Sequence, residues 1–202
     1  MNLRNIDFTG PALDDPDLLG CVPEALAALL RDTNGFVQFQ GGLHVRGACK
    51  GPAWHSLRHA WFGADAFCKL YDSVRDTDVP FAEDAVGDQF LLRDGVVHCL
   101  AAETGEIGSL EVTFERFFAD AQANPVDVLQ LQPLLQYLDQ APPPRPGQLL
   151  DVSPPFCTKE AEEGVSLRPI STLERRRALA SFARRTADTP AGAKVALEAR
   201  DR

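Results

Sequence analysis

The clearest periodic pattern of hydrophobic positions lies near the start of the chain, in the stretch VPEALAALLRDTNG. Leu26, Leu29 and Leu30 recur at the spacing of three and four residues that gives a helix one apolar face. Asn34-Gly35 follows, and both residue types tolerate the left-handed backbone with which helices often end. The pattern therefore predicts an amphipathic helix that ends at this pair.

Short alternating runs replace the helical pattern further along the chain. FVQFQ and LHVRG, separated by Gly41-Gly42, predict two strands, and DVPFAED predicts another. QFLLRDGVVHCLAAETGEIGSLE predicts three more strands, with tight turns at Asp94-Gly95 and Thr104-Gly105. Strands joined by such short turns pair antiparallel, because a parallel pair needs a long crossover.

Helical spacing returns after these strands. In TFERFFADA, Phe114, Phe117 and Phe118 share one face, and PLLQYLDQ and STLERRRALASFARR predict two further helices. Between residues 54 and 72 a helical stripe is interrupted at Gly63, which predicts two short helical pieces. The sequence thus predicts an α+β fold with a mainly antiparallel central sheet, on which the N-terminal helix and the C-terminal helices pack.

The stretch APPPRPGQ, residues 141–148, predicts a linker because proline favours extended backbone. It divides the chain into an α+β domain at residues 1–140 and, at residues 141–202, a proline-rich linker with a C-terminal helical extension. Residues 1–15 and the stretch directly after the linker show little periodicity, so no regular element is predicted there.

The net charge of −9 is distributed unevenly along the 202 residues. Residues 1–140 contain nine basic and 21 acidic residues, a net charge of −12, whereas residues 141–202 contain 11 basic and eight acidic residues, a net charge of +3. This distribution argues against binding to nucleic acid phosphates. It favours a basic protein partner, since opposite charges steer encounter. A surface that is acidic only for solubility is the alternative interpretation.

We expect a cytoplasmic protein that does not bind a membrane. No apolar run reaches the length of a transmembrane helix, and MNLRNIDFTGPALDDPD carries charges where a signal peptide needs an apolar stretch. The five cysteines are scattered, which predicts reduced thiols rather than a disulfide framework: Cys21, Cys49, Cys68, Cys99 and Cys157.

Motifs of common catalytic chemistry are absent from the sequence. It contains no phosphate-binding loop, no dinucleotide fingerprint and no nucleophile elbow, so we expect a protein that is not an enzyme and has no cofactor. His55 and His59 share a helical face, and His44 with the cysteines could add ligands. Their spacing matches no zinc pattern, and a metal-dependent enzyme is the least favoured alternative.

The stretch PFAEDAVGDQF places three carboxylates, Glu83, Asp84 and Asp88, between aromatic residues. In a strand, Glu83 and Asp84 point to opposite faces and cannot share a proton as a catalytic pair. Asp88 follows Gly87 and is predicted to cap the turn that leads into the next strand. Two interpretations stay open, a structural turn with a solvated acidic rim and a partner-binding face formed by these three residues.

The same region resembles the SUKH superfamily, which groups the yeast cell-wall-assembly regulator with many bacterial immunity proteins. The resemblance covers about Leu18 to Asp120. It rests on the order of an apolar strand, an acidic residue with Gly-Asp, strands split by a short turn and a Phe-rich helix. The matching positions are Phe81, Asp84, Gly87, Asp88, Phe90, Phe114 and Phe117.

The resemblance implies an α+β domain that binds proteins and has no shared catalytic residues. In bacteria such domains are often immunity proteins, which bind and silence a toxin, frequently a nuclease, of a polymorphic toxin system. The resemblance therefore implies a non-enzymatic protein that neutralises a basic toxin. A regulatory adaptor without a toxin partner is the alternative, and the sequence indicates no oligomeric state.

Overall fold

A computed structural model describes residues 3–187 of the chain. The strands are β1 (Ile6–Thr9), β2 (Phe36–Gln38), β3 (Leu43–Val45), β4 (Val79–Asp84), β5 (Gln89–Arg93), β6 (Val96–Ala101), β7 (Glu106–Ser109), β8 (Gln148–Ser153) and β9 (Ser166–Ser171). The α-helices are α1 (Glu24–Asp32), α2 (Leu57–Phe62), α3 (Phe67–Leu70), α4 (Phe114–Ala123), α5 (Pro125–Val128), α6 (Gln132–Leu138) and α7 (Thr172–Thr186). None of these helices is both long and apolar enough to cross a membrane.

Strands β1 to β7 form one sheet in chain order, and every neighbouring pair is antiparallel. The predicted α+β fold with a mainly antiparallel sheet is confirmed. The turn between β5 and β6 is the predicted two-residue hairpin. Asp94 and Gly95 both have positive φ, 51° and 82°, as a tight turn of matching twist requires. A separate antiparallel pair is formed by β8 and β9.

The two faces of the large sheet bury two hydrophobic clusters. Leu92 and Leu91 are neighbours in β5, yet Leu92 packs in the cluster that contains α1 and α4, and Leu91 packs in the cluster that contains α3 and α7. This is the alternation expected of a strand covered on both sides. Phe117 and Phe118 of α4 are buried at 1% exposure, as the helical spacing of these aromatic residues predicts.

The segment after residue 140 packs into the same folded body. The backbone N–H of Leu150 in β8 donates to the carbonyl of Ala85 at 2.8 Å. Leu150 is buried in the first cluster and Leu179 of α7 in the second. The predicted boundary at residue 140 is therefore not a boundary in the packing, because both sides share one core. The last part of the predicted extension, residues 188–202, lies outside the described residues.

Three strands form where no regular element is predicted. The four residues of β1, Ile-Asp-Phe-Thr, alternate apolar and polar side chains, but the run is short and its side chains are mostly exposed, so β1 joins the sheet mainly through backbone pairing with β2. Strand β8 is buried over four successive residues, and β9 has only exposed or half-buried positions. Neither of these patterns has the strict period of two that reveals a half-buried strand.

Candidate functional site

Glu83 lies at the centre of a buried ionic cluster. It is completely inaccessible to solvent. Arg176 on α7 binds both carboxylate oxygens, with Nη2 2.7 Å from Oε1 and Nε 3.0 Å from Oε2. Arg46 donates from Nη2 to Oε2 at 2.9 Å. Burial alone would raise the pKa of Glu83, but the two guanidinium groups outweigh it and hold this pKa well below its usual value.

The two guanidinium groups are held from other sides as well. Arg46 is fully buried and also donates from Nη2 to Oε1 of Gln89 at 2.5 Å. The ring of Phe67 lies 5.2 Å from Cζ of Arg46 and 5.5 Å from Cζ of Arg176, within the range of cation–π attraction. Because two buried cations share one carboxylate, Glu83 is the counter-charge on which this packing depends.

A chain of hydrogen bonds leads from Glu83 through two histidines to the backbone. Nδ1 of His44 lies 2.8 Å from Oε1 of Glu83, and Nε2 of His44 lies 2.9 Å from Nδ1 of His55. Nε2 of His55 lies 3.1 Å from the carbonyl oxygen of Asn34. Each of these three contacts needs one proton, because the carboxylate at one end and the carbonyl at the other can only accept. Two neutral imidazoles carry only two N–H groups, so one contact lacks a proton.

Burial favours the neutral form of both rings, because it lowers the pKa of His44 to about 4 and also lowers the pKa of His55. Nδ1 of His44 faces a carboxylate, which only accepts, so the neutral His44 ring donates from Nδ1 to Glu83. The single N–H of neutral His55 then serves either Nε2 of His44 or the Asn34 carbonyl, and the other of these two contacts is left without a proton.

These contacts correct two expectations from the sequence. Glu83 has no accessible atom, so it cannot form part of a partner-binding face. His55 and His59 do not share a helical face as expected, because His59 lies exposed on α2, which begins after His55. Nδ1 of His55 instead faces Nε2 of His44. Across residues 3–187, no group of three or more histidine, cysteine, aspartate or glutamate side chains is arranged to hold a metal ion.

Asp84 closes the turn between β4 and β5. Its Oδ1 accepts from the backbone N–H groups of Val86, Gly87 and Asp88 at 3.0, 2.8 and 2.9 Å. Oδ1 of Asp88 instead accepts from the backbone N–H of Ala102 at 2.8 Å and ties the turn to the end of β6. The sequence predicts Asp88 as the cap of this turn, whereas the structure gives that role to Asp84. Asp84 has this role because its side chain accepts from the backbone N–H groups of residues two to four positions later, as aspartate often does in turns.

An open cavity of about 490 Å³ lies beside this turn, within the size range of small-ligand sites. Charged side chains from the β4–β5 turn, the end of β6 and α7 line it together with apolar ones from α6 and the β8–β9 connection. They include Asp84, Asp88, Glu103, Arg175, Pro133 and Phe156. Two of the three predicted site residues, Asp84 and Asp88, thus meet in one cavity wall.

The carboxylates of this wall oppose one another's ionisation. Burial raises the pKa of Asp84 well above its usual value, and the neighbouring Asp88 raises it further. Burial also raises the pKa of Asp88, and the charge of Glu103 adds to that effect. A positive charge in the cavity would oppose both shifts, because it favours the ionised form of each carboxyl.

Glu103 and Arg175 complete the charged side of the cavity. Oε2 of Glu103 accepts from the backbone N–H of Cys157 at 3.1 Å, while its buried Oε1 receives no hydrogen bond and lies 3.8 Å from Nη2 of Arg175. Arg175 donates from Nη1 to Oδ1 of Asp151 at 2.9 Å and from Nε to the carbonyl of Val86 at 3.0 Å.

The sequence analysis missed the residues that α7 contributes to both sites. One signal is present in the sequence. Arg175 and Arg176 lie four residues before Leu179 and Ala180, so both arginines fall on the apolar stripe of the helix. Arginine on such a stripe needs a buried carboxylate partner. Which carboxylate would serve each arginine could not be read from spacing, because the Arg176–Glu83 pair is separated by 93 residues.

Comparison with known proteins adds a fold relationship. No protein-family model and no curated protein matches this chain. The chain is similar to the crystal structure of Atu4351 from Agrobacterium tumefaciens, with a TM-score of 0.51 and 14% sequence identity over 87% of this chain and 82% of that one. At this identity the likeness concerns the fold alone. Because the matched 87% of this chain contains more residues than the segment 1–148, the shared fold includes part of the segment after the predicted linker.

Proposed function

We propose that this chain is a non-enzymatic protein-binding domain of the immunity type, which binds and neutralises a basic toxin domain, such as a nuclease, in the cytoplasm. The observation that carries the proposal is the charge of the exposed surface. Among all described residues, 17 acidic side chains are exposed but only 12 basic ones, and the excess lies before residue 141, where the numbers are 13 and six. The excess of negative charge is therefore on the surface, where a partner meets it.

This surface suits a partner that handles nucleic acid. A nuclease binds phosphates through basic side chains, so its substrate-binding face is positively charged. An acidic protein is steered to such a face and can cover it without touching the catalytic residues. The resemblance of the β4–α4 region to the SUKH superfamily supports the same interpretation, since many of its bacterial members are immunity proteins.

The hydrogen bonds of the buried histidines agree with a role other than catalysis. His44, His55 and Glu83 direct their polar atoms to one another and to two arginines, out of reach of a substrate. In the cavity wall, Asp84 and Asp88 likewise use one carboxylate oxygen each on the backbone. Glu83 and the two histidines therefore support the fold, and the exposed acidic residues are left to meet a partner.

Co-expression tests the proposal directly. The genes that flank this one are sequenced first, and a toxin domain encoded there is produced in bacteria together with the chain, with growth compared with that of cells that produce the toxin alone. We expect growth to be restored and the two proteins to copurify. Failure of both would overturn the proposal.

Calorimetry on the purified complex tests the electrostatic part. We expect the affinity to fall as salt rises, because exposed charges are screened. The double variant Asp72→Asn/Glu106→Gln removes two exposed negative charges, each next in sequence to one partner of the hydrogen bond from Ser73 Oγ to the Gly105 carbonyl, and it should weaken binding. Lys50→Gln, which removes an exposed positive charge, is the control and should not weaken it. An affinity that ignores salt would contradict the electrostatic part.

A further inference from the structure

The cavity beside the β4–β5 turn carries an excess of negative charge. Asp84, Asp88 and Glu103 line it, whereas its one guanidinium, Arg175, pairs with Asp151 as well. Oε1 of Glu103 is buried and receives no hydrogen bond from any residue between 3 and 187. A buried carboxylate oxygen without a donor is costly, and a ligand that donates to it would remove that cost. Asp84 is only 5% exposed and uses Oδ1 alone for the hydrogen bonds of the turn.

The arrangement of these carboxylates selects the kind of cation. They are not placed to share a metal ion. The cavity of about 490 Å³ has room for an organic cation with several N–H groups. A guanidinium carries five donors in a planar fork, so it can serve carboxylates that lie too far apart for a point charge.

The apolar side of the cavity suits the rest of an arginine side chain. Val86, Pro133 and Phe156 line it, and methylene groups pack well on such a surface while the charged end reaches the carboxylates. Phe156 is 43% exposed, which is unusual for a large aromatic side chain and leaves its ring free to contact an entering group.

We infer that this cavity binds the guanidinium group of an arginine side chain presented by a protein partner. The source of that arginine, a basic toxin domain, rests on the function proposed above. The preference of the cavity for a guanidinium rests on Asp84, Asp88, Glu103 and the apolar wall. The site is thus an anchor pocket within a larger acidic surface.

A small-molecule probe tests the preference of the cavity for a guanidinium separately from the identity of the protein partner. N-acetyl-arginine methylamide is titrated into the full chain and followed by NMR, with N-acetyl-citrulline methylamide as the uncharged probe of the same shape. We expect saturable shifts of the amides of Val86, Gly87, Asp88 and Ala102, which donate to Asp84 and Asp88, with the arginine probe alone. Absent shifts, or equal shifts with both probes, would overturn the inference.

Asp84→Asn is the matched variant. It keeps an Oδ1 that accepts the three turn hydrogen bonds and removes the charge, and we expect the probe to bind about tenfold more weakly, as for the loss of one charge-assisted bond. Asp32→Asn removes an exposed carboxylate on α1, which does not line the cavity, and should leave the affinity unchanged. Equal affinities of the two variants would contradict the assignment.

The outcomes distinguish this inference from the proposed function. A chain that rescues growth but does not bind the arginine probe would retain the proposed function and lose the anchor pocket. A chain that binds the probe but neither rescues growth nor copurifies with the toxin would retain the pocket and lose the proposed function.

Discussion

Glu83 and Asp84 are neighbours in β4, yet Glu83 lies in the buried ionic cluster and Asp84 lines the open cavity. Successive side chains of a strand point to opposite faces, which explains how two adjacent carboxylates reach such different surroundings. Guanidinium groups hold the pKa of Glu83 low against the effect of burial, whereas burial and Asp88 raise the pKa of Asp84. Both carboxylate oxygens of Glu83 are bound within the cluster, whereas Asp84 uses Oδ1 alone on the turn.

The first prediction concerns the counter-charge in the core. Glu83→Gln keeps the size of the side chain but leaves Arg46 and Arg176 buried without a negative partner. We expect the free energy of unfolding to fall by about 3–5 kcal/mol, as is typical when one partner of a buried ion pair is removed. Urea denaturation measures this change. Glu115→Gln, an exposed position on α4, is the control, and equal losses in the two variants would contradict the role of Glu83.

The second prediction separates the two roles of Asp84. Asp84→Ala removes the acceptor of three backbone N–H groups and should cost about 1–3 kcal/mol of stability. Asp84→Asn keeps the acceptor and loses the charge, so its stability at neutral pH should match or exceed that of the unchanged protein. Thermal unfolding of both variants measures the difference. Similar losses in both would show that the charge, rather than the acceptor, stabilises the turn.

The third prediction is the pH dependence of stability. An unfolded histidine has a pKa of about 6.5, and burial lowers that of folded His44 to about 4. Between these values the unfolded chain binds more protons, so stability falls as the pH drops from about 6.5 to 4. The raised pKa values of Asp84 and Asp88 act in the opposite direction, since ionising them costs stability as the pH rises.

Asp84→Asn therefore exposes the histidine effect, because it removes one of the two opposing groups. Chemical denaturation across this pH range should show a steeper acid loss in the variant than in the unchanged protein. NMR titration of the His44 ring gives the direct measurement. A ring that becomes charged near pH 6.5 or above would contradict the prediction.

Local signals explain which parts of the fold could be predicted from the sequence. Asp94-Gly95 and the alternating residues around it contain a complete hairpin within a few positions, and the phenylalanines of α4 define a helical face by spacing alone. The ionic cluster could not be predicted in this way. Its members Arg46 and Arg176 lie 37 and 93 residues from Glu83, and only the assembled fold brings them together.

In the candidate site, too, the sequence identifies residues but not their contacts, even where those residues are close together in the chain. The sequence identifies Asp84 and Asp88 as polar residues beside a turn, but the choice of the capping residue depends on distances to backbone N–H groups. Glu103 gives no local signal, since it precedes an ordinary Thr-Gly turn. Its place in the cavity wall follows from the packing of α7 and the β8–β9 connection against the sheet.

The fourth prediction concerns Gly87. Its φ is +107°, and a Cβ at this position would lie 2.7 Å from Cδ1 of Leu179. Gly87→Ala should therefore cost at least about 1–3 kcal/mol, the usual range for backbone strain, with the clash in addition. Gly95→Ala is the control, because Gly95 has φ of +82° but open space around it. Denaturation should show a clearly larger loss at Gly87 than at Gly95.

A double-mutant cycle identifies the cause of that larger loss. Leu179→Ala removes the atom that the new Cβ would meet, so the double variant Gly87→Ala/Leu179→Ala should lose less stability than the sum of the single variants. Strict additivity would place the strain in the backbone alone and contradict the close approach of α7 to this turn.

The fifth prediction tests the role of the segment after residue 140. A chain that ends at Gln140 loses α7, which covers Leu91 and Leu100 in the second cluster and supplies Arg176 to Glu83. Exposing a hydrophobic face and unpairing a buried carboxylate both destabilise the rest of the sheet. We expect this shortened chain to lack a cooperative unfolding transition and a dispersed NMR spectrum.

A chain that ends at Ala187 retains α7 and is the control. Cooperative unfolding of the shorter chain with the stability of the control would instead establish residues 1–140 as an independent domain, with α7 as a dispensable cover.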